Sequence, residues 1–244
     1  MLDAVKVTKH FAGVHALRGV TLRLREGALV GLIGPNGSGK TTLLNCVSGV
    51  FAPTSGTISL DGESIGGRPA HALAARGIVR TFQNVRLFER LTARQNVEVS
   101  AVAAGKVKRR HSREYAREVL ERLGLGELED RYAGTLSYGD QRRLEIARAL
   151  AASPRFLLLD EPAAGMNEAE SDVLGESMER IRHERACGVL VVDHDLRLIM
   201  RLCEHIYVLN EGVVISEGRP EEVRSDPAVL AAYIGEENPG KESE

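Results

Sequence analysis

The chain has no tryptophan, and its five tyrosines and five phenylalanines bring aromatics to only 4%. A surface that holds single-stranded nucleic acid by base stacking is therefore disfavoured. Cysteine is scarce too. Cys46, Cys187 and Cys203 are odd in number and unlike a metal-ligand set in spacing, which argues against structural disulfides and a zinc cage and leaves buried thiols. No apolar run approaches the roughly 20 residues needed to cross a bilayer. Met1-Leu2-Asp3-Ala4-Val5-Lys6 lacks the apolar core of a signal peptide, so the chain is expected to stay in the cytosol. Neither charge dominates. Thirty-two Lys and Arg against 34 Asp and Glu leave a net charge of −2, and the pI of about 6.4 supports no global attraction to nucleic acid. What the chain does have is 43% hydrophobic residues in 244, enough for one large α/β domain or two small ones. No internal repeat is present.

The most informative stretch is residues 34–42, Gly34-Pro35-Asn36-Gly37-Ser38-Gly39-Lys40-Thr41-Thr42, which follows the apolar run Ala28-Leu29-Val30-Gly31-Leu32-Ile33. The spacing Gly34-x-x-x-x-Gly39-Lys40-Thr41 reads as a phosphate-binding loop. Glycines let successive backbone N–H groups turn inward as an anion cradle, Lys40 adds a mobile cation, and Thr41 offers a hydroxyl to Mg²⁺. A helix over residues 41–48 directs its positive end at the same phosphates.

Alternation predicts half-solvated antiparallel strands at residues 5–9 and 20–24, a buried strand at 28–33 and a further strand at 57–60 with the hairpin turn Asp61-Gly62. A short helix is expected at 69–75 and a strand at 78–82. From about residue 85 to 150 strand signals give way to helical ones, including 113–123, which predicts a helical subdomain inserted in the core. Strand patterns return at 155–159, 188–192 and 206–210, separated by helices at 168–183 and 196–203 as βαβ units with a parallel sheet require. Glu211-Gly212 then turns into an edge strand at 213–215. Residues 235–244 read as a frayed acidic tail.

In an open parallel sheet the ligand sits beyond the carboxyl ends of the strands, so the residues just after each apolar run matter most. Asp160 and Glu161 follow Leu159, Asp193 and His194 follow Val192, and Gln83 follows Phe82. Asp160 is placed to hold Mg²⁺ with Thr41 and Gln83 completing an oxygen shell. Glu161 is a candidate general base for an attacking water. His194 either donates to a terminal phosphate or caps the helix that begins near Asp195.

A second stretch is unusual: Leu136-Ser137-Tyr138-Gly139-Asp140-Gln141, followed by Arg142-Arg143-Leu144-Glu145-Ile146-Ala147-Arg148. Ser137 with Asp140 three residues on resembles the capping of a helix start, and a helix N-terminus with a hydroxyl and a bare Gly139 is a second anion site. One chain with one cradle has little use for a second, unless it meets the nucleotide of another subunit.

Taken in order, these motifs resemble the ATP-binding subunit of an ABC transporter over nearly the whole chain: the phosphate loop at 34–42, Gln83 as Q-loop, residues 136–141 as signature, 156–161 as Walker B with its base, 163–167 as D-loop and His194 as switch histidine. The resemblance implies one nucleotide-binding domain over 1–234, an α/β P-loop NTPase fold with a mainly parallel sheet, an N-terminal antiparallel β subdomain and a helical subdomain at about 84–150. It implies ATP and Mg²⁺, with Phe11 stacking on adenine and Ser137, Tyr138, Gly139, Asp140 and Gln141 meeting the partner chain's ATP. It further implies a homodimer, or a heterodimer with a related ATPase, two membrane permeases that dock near residues 84–91, an external substrate-binding protein, and a position on the cytoplasmic membrane face. Two departures are plain. Tyr138 replaces a signature glycine, and Ala164-Gly165-Met166-Asn167 replaces the usual Ser-Ala-Leu-Asp. These departures, with Arg80-Thr81-Phe82-Gln83-Asn84-Val85-Arg86-Leu87-Phe88 and the ending through Tyr233-Ile234-Gly235, are similar to the branched-chain amino-acid importers. Urea, amide and lipopolysaccharide systems, and soluble non-transport ABC ATPases, remain alternatives.

Overall fold

The computed structural model describes residues 1–184 and 187–234, and the acidic tail expected at 235–244 lies outside them. The chain opens with two long strands, Leu2–Phe11 (β1) and Val14–Leu24 (β2), paired antiparallel from Leu2↔Leu24 to Phe11↔Val14. The tight turn between them puts Ala12 and Gly13 at positive φ, the region glycine adopts without strain. Leu29–Ile33 (β3) then leads through the glycine-rich loop into Lys40–Val47 (α1). Ser55–Leu60 (β4) returns to the free edge of β1, and the Asp61-Gly62 turn adds Glu63–Ser64 (β5). These strands make a four-stranded antiparallel sheet in the order β2-β1-β4-β5.

Ala70–Ala75 (α2) and the short strand Ile78–Arg80 (β6) follow. The strand expected to run to Phe82 stops at Arg80, although the Thr81 N–H still donates to the Leu158 carbonyl at 3.0 Å. Three helices occupy the stretch from which strand signals vanish: Ala93–Ala103 (α3), Ser112–Arg122 (α4) and Tyr138–Ala151 (α5). A reciprocal Thr92–Gln95 capping box starts α3. Phe156–Asp160 (β7), Glu168–His183 (α6), Gly188–Val192 (β8), Leu196–Leu202 (α7) and His205–Asn210 (β9) supply the βαβ units. Val213–Gly218 (β10), Pro220–Ser225 (α8) and Pro227–Ile234 (α9) complete the described residues.

The second sheet runs β10-β9-β3-β8-β7-β6, parallel except for β10, which folds back antiparallel on β9. Every residue of β3, β7 and β8 is buried, as a sheet covered on both faces demands. Alternate side chains enter two different cores. Leu29, Ile33, Leu157, Leu159, Val189 and Val191 join the helices α3 to α7 on one face. Val30, Leu32, Phe156, Leu158, Leu190 and Val192 join α1 and the antiparallel sheet on the other. The three cysteines are buried, as expected, and burial pushes the Cys187 thiol up to about 12.

Leu158 lies at the centre of that second core with no exposed surface. Leu158→Ala is expected to lower unfolding free energy by about 2–5 kcal/mol. Val50→Ala, at a site 47% exposed, should change it by no more than about 0.5 kcal/mol; urea titration of both variants checks the contrast.

Candidate functional site

The parallel register brings the polar strand ends to one edge. Leu32 pairs with Val192, and Val192 with Asp160, so the residues that follow β3, β8 and β7 emerge side by side. On the first of these ends, Gly34 has φ 146°, and a Cβ there would collide with the Leu209 carbonyl. Gly39, at φ 108°, is the N-cap of α1 and lies against the Ala16 carbonyl. No side chain fits at either position, so the loop backbone is pressed tightly against β2 and β9. The Gly212 N–H donates to the Ser38 carbonyl at 2.9 Å, which ties the loop to the β9–β10 turn.

Lys40 is buried and donates through Nζ to the carbonyls of Gly34 at 2.6 Å and Pro35 at 2.8 Å. Its ammonium therefore arches back over the loop. Ser38 Oγ is buried without a hydrogen-bond partner among the described residues, and a buried hydroxyl of this kind calls for a ligand. Asn36, Gly37 and Thr41 are exposed, and Thr42 is half-buried. At the end of β1, Phe11 is 39% exposed and rests edge-on against Phe51 at 5.3 Å. The Lys9 ammonium stands 5.0 Å from the centre of the Phe11 ring.

On β7, Asp160 is buried and its Oδ2 accepts from Arg80 at 2.7 Å. Arg80 also donates to Asn45 Oδ1 at 2.6 Å and Ser48 Oγ at 2.9 Å, so one guanidinium joins β6, β7 and α1. Sequence reasoning gave Arg80 no role, although an arginine ending the apolar run Ile78-Val79 was the available signal. Oδ1 of Asp160 takes no hydrogen bond from the described residues and is the oxygen left to a cation. One carboxylate with neutral oxygens suits Mg²⁺, which keeps waters and takes substrate phosphates as ligands.

Glu161 stands at φ 48°, a left-handed conformation that costs a non-glycine residue roughly 1–2 kcal/mol. It is held there by its own N–H, which donates to the Val192 carbonyl at 2.7 Å, and by its carbonyl, which accepts from the Ala164 N–H at 3.2 Å. Its Oε2 accepts from Gln83 Nε2 at 2.8 Å. The structure thus joins Gln83 directly to the candidate base.

Asp193, fully buried, accepts from the Ala163 N–H at 2.9 Å and from the N–H groups of His194 and Asp195. It welds the turn after Glu161 to the end of β8, a task unseen in the sequence because a buried aspartate at a strand end looks like a solvated one. The capping alternative for His194 is corrected: Asp195 caps α7 by accepting from the Leu198 N–H at 3.0 Å, and the His194 imidazole is 67% exposed.

The 136–141 stretch forms the start of α5. Ser137 is its N-cap, accepting from the Asp140 N–H at 3.2 Å and donating to Asp140 Oδ2 at 2.8 Å, while Gln141 donates to the Leu136 carbonyl at 3.1 Å. Ser137, Gly139 and Asp140 border a cleft of about 210 Å³ opposite Asn167 and Glu170, where Asn167 caps α6. Tyr138 is 43% exposed.

Arg80→Ala leaves the Asp160 carboxylate buried without its cation, which should lower stability by about 3–5 kcal/mol. The pair Arg80→Met with Asp160→Asn should recover most of that loss. Thermal unfolding of the three proteins tests it, and equal stability of Arg80→Ala and the wild type would contradict the ion pair.

Comparison with known proteins gives the context of this geometry. Residues 17–164 match the family model "ABC transporter", and residues 213–238 match "Branched-chain amino acid ATP-binding cassette transporter". The chain is 45% identical to the high-affinity branched-chain amino acid transport ATP-binding protein BraF of Pseudomonas aeruginosa, over 97% of this chain and 98% of that one. It is 42% identical to the corresponding LivG of Escherichia coli over the same shares. It is 36% identical to the lipopolysaccharide export system ATP-binding protein LptB of Haemophilus influenzae, again over 97% and 98%. Among solved structures it is similar to the ATP-binding cassette MJ1267 in its ADP conformation, with a TM-score of 0.84 and 31% identity over 96% of this chain and 98% of that one. It is also similar to the dimeric post-hydrolysis cassette MJ0796 bound to ADP and Pi, with a TM-score of 0.78 and 30% identity over 90% and 99%. With a glycine-pressed phosphate loop and a strained glutamate at one sheet edge, the chain belongs to the ABC transporter family, as one of its ATP-binding, ATP-hydrolysing subunits.

Proposed function

We propose that this chain powers the uptake of branched-chain or other hydrophobic amino acids by hydrolysing ATP on the cytoplasmic face of a membrane. The observation that carries the substrate class is the C-terminal match at residues 213–238, which falls on β10, α8 and α9, outside the general ATPase machinery. The names of BraF and LivG point the same way. Residues 1–234 act as a single nucleotide-binding domain, with its core in 1–83 and 151–234 and its helical subdomain at about 84–150.

In this reading Phe11 takes the adenine, and the backbone N–H groups of residues 34–42 take the phosphates. Ser38 Oγ donates to a phosphate oxygen, which supplies the partner it otherwise lacks. Lys40 swings from the loop carbonyls to the β and γ phosphates. Thr41, Gln83 and Asp160 would hold Mg²⁺, which would supply positive charge to those phosphates. Glu161 accepts a proton from the attacking water. Gln83, bonded to Glu161 Oε2, aims that carboxylate, and His194 donates to the γ-phosphate oxygen as charge builds there. Ser137, Tyr138, Gly139, Asp140 and Gln141 meet the nucleotide of a second ATPase chain, identical or related, so that hydrolysis depends on association. MJ0796, a relative of this fold, is dimeric in its post-hydrolysis state.

Two permeases receive the resulting motion, and an external binding protein delivers substrate to them. Phe88 is a suitable docking residue. It is 48% exposed, with the Arg148 guanidinium over its ring at 4.8 Å and its backbone held by Asn96 at 2.9 and 3.0 Å.

Glu161→Gln is expected to cut ATP turnover by roughly 10²- to 10⁴-fold while accumulating an ATP-bound dimer by size-exclusion chromatography. Full turnover by this variant would remove Glu161 as base. Lys40→Ala should weaken both ATP binding and turnover. With the cognate permeases and binding protein in liposomes, leucine, isoleucine or valine should stimulate ATPase activity, and Phe88→Asp should abolish that stimulation but keep basal hydrolysis. Stimulation by another solute class alone would reassign the substrate.

A further inference from the structure

The segment from residue 82 to 88 belongs to no helix or strand, yet a backbone beside a core must find hydrogen-bond partners. It finds them largely in side chains. Arg142 on α5 is 1% exposed. Through Nη1 it donates to the Phe82 carbonyl at 2.8 Å, and through Nη2 to the Gln83 carbonyl and to the Glu161 carbonyl at 3.4 Å. Nη1 also donates to Glu145 Oε2 at 3.1 Å. Glu145 in turn accepts from the Arg86 N–H at 3.3 Å, and Arg148 donates to the Arg86 carbonyl. Residues 142, 145 and 148 recur at helical spacing, so this charged stripe, which in a sequence reads as a solvated face, lines the inside of the joint between α5 and the Gln83 segment.

The first turn of the same helix touches the turn after Glu161. The Tyr138 ring lies on Gly165, where a Cβ would come within 3.3 Å of Cε1, and the Arg142 guanidinium stands 5.9 Å from that ring. Tyr138 and Gly165 both depart from the usual pattern of the family, and they fit each other: at φ 78° a glycine is unstrained and leaves room for the ring.

We propose that Arg142 is a positioning residue for hydrolysis. It fixes the Gln83 and Glu161 backbones to α5, so that the helix whose start meets the partner's nucleotide also sets the geometry of the base at this chain's own nucleotide. The proposal rests on the shared-site reading above. Arginine suits the position because its planar fork spans several carbonyls at once, whereas lysine offers a point charge.

The test compares Arg142→Lys and Arg142→Met with the wild type, using the purified full chain and steady-state ATP hydrolysis, all assayed at one temperature about 20 °C below the lowest of the three unfolding midpoints. A displacement of Glu161 by an ångström lowers the chemical step by roughly 10²-fold without touching the phosphate loop. The expected result is a kcat reduced at least fivefold in both variants, with the KM for ATP within threefold of wild type. A role confined to folding would lower the midpoint and leave kcat per folded chain unchanged. A kcat reduced less than fivefold, or a loss carried by KM, overturns the proposal. If Arg142→Met does not fold, Arg142→Lys carries the same criteria alone. Glu161→Gln in parallel separates the two readings. An active Glu161→Gln defeats the shared-site chemistry itself, whereas an inactive Glu161→Gln beside fully active Arg142 variants defeats only the role of Arg142.

Discussion

A parallel sheet buried on both faces can present polar groups only where its strands end. Every apolar side chain of β3, β7 and β8 lies in one of two cores, and crossover connections let these strands run the same way. The phosphate loop, Asp160 with Glu161, and Asp193 with His194 therefore issue from one edge in neighbouring registers. The site is a consequence of that burial: a charged residue moved inward along any of these strands would enter hydrocarbon without a partner.

At that edge the chain leaves regular structure and its backbone groups need new partners, which buried charged side chains provide. Asp193 bonds the Ala163 backbone to the end of β8, and Arg142 on α5 bonds the backbones of the Gln83 segment and Glu161, while Arg80 joins β6, Asp160 and α1 through side chains. Such groups are costly to desolvate and contribute little net stability when fully paired, but they admit few alternative arrangements. Burial raises the Glu145 carboxyl from its ordinary value, opposed by the neighbouring Arg142. The strain at Glu161, held at positive φ by bonds to Val192 and Ala164, is of the same kind: the surrounding structure over-determines an unfavourable conformation where chemistry is expected.

Most strands and helices were legible because their periodicity expresses burial directly. The βαβ order, the edge hairpin after Glu211-Gly212 and the cap at Ser137 are local or nearly local in origin. The strand expected to reach Phe82 stops at Arg80 although β7 runs on to Asp160, and the Phe82 and Gln83 carbonyls accept from Arg142 instead. The stripe Arg142, Glu145 and Arg148 was illegible for a related reason. Charge at helical spacing is the pattern of a wet surface, and only the tertiary placement of residues 82–88 turns that surface inward.

The sequence by itself determined the proposed chemistry of the nucleotide site, since Gly34, Gly39, Lys40 and Thr41 take their proposed roles from spacing along a strand–loop–helix unit and need no distant partner. It also determined the order of the elements, which rests on hydrophobic period and on turn residues. Only the tertiary structure decided that Gln83 bonds Glu161, that Asp195 and not His194 caps α7, that Tyr138 lies on Gly165, and that buried Arg80, Asp193 and Arg142 hold the segments around the site. Those pairings join residues far apart in the chain, and the same side chain serves solvent or core depending on what the fold lays against it.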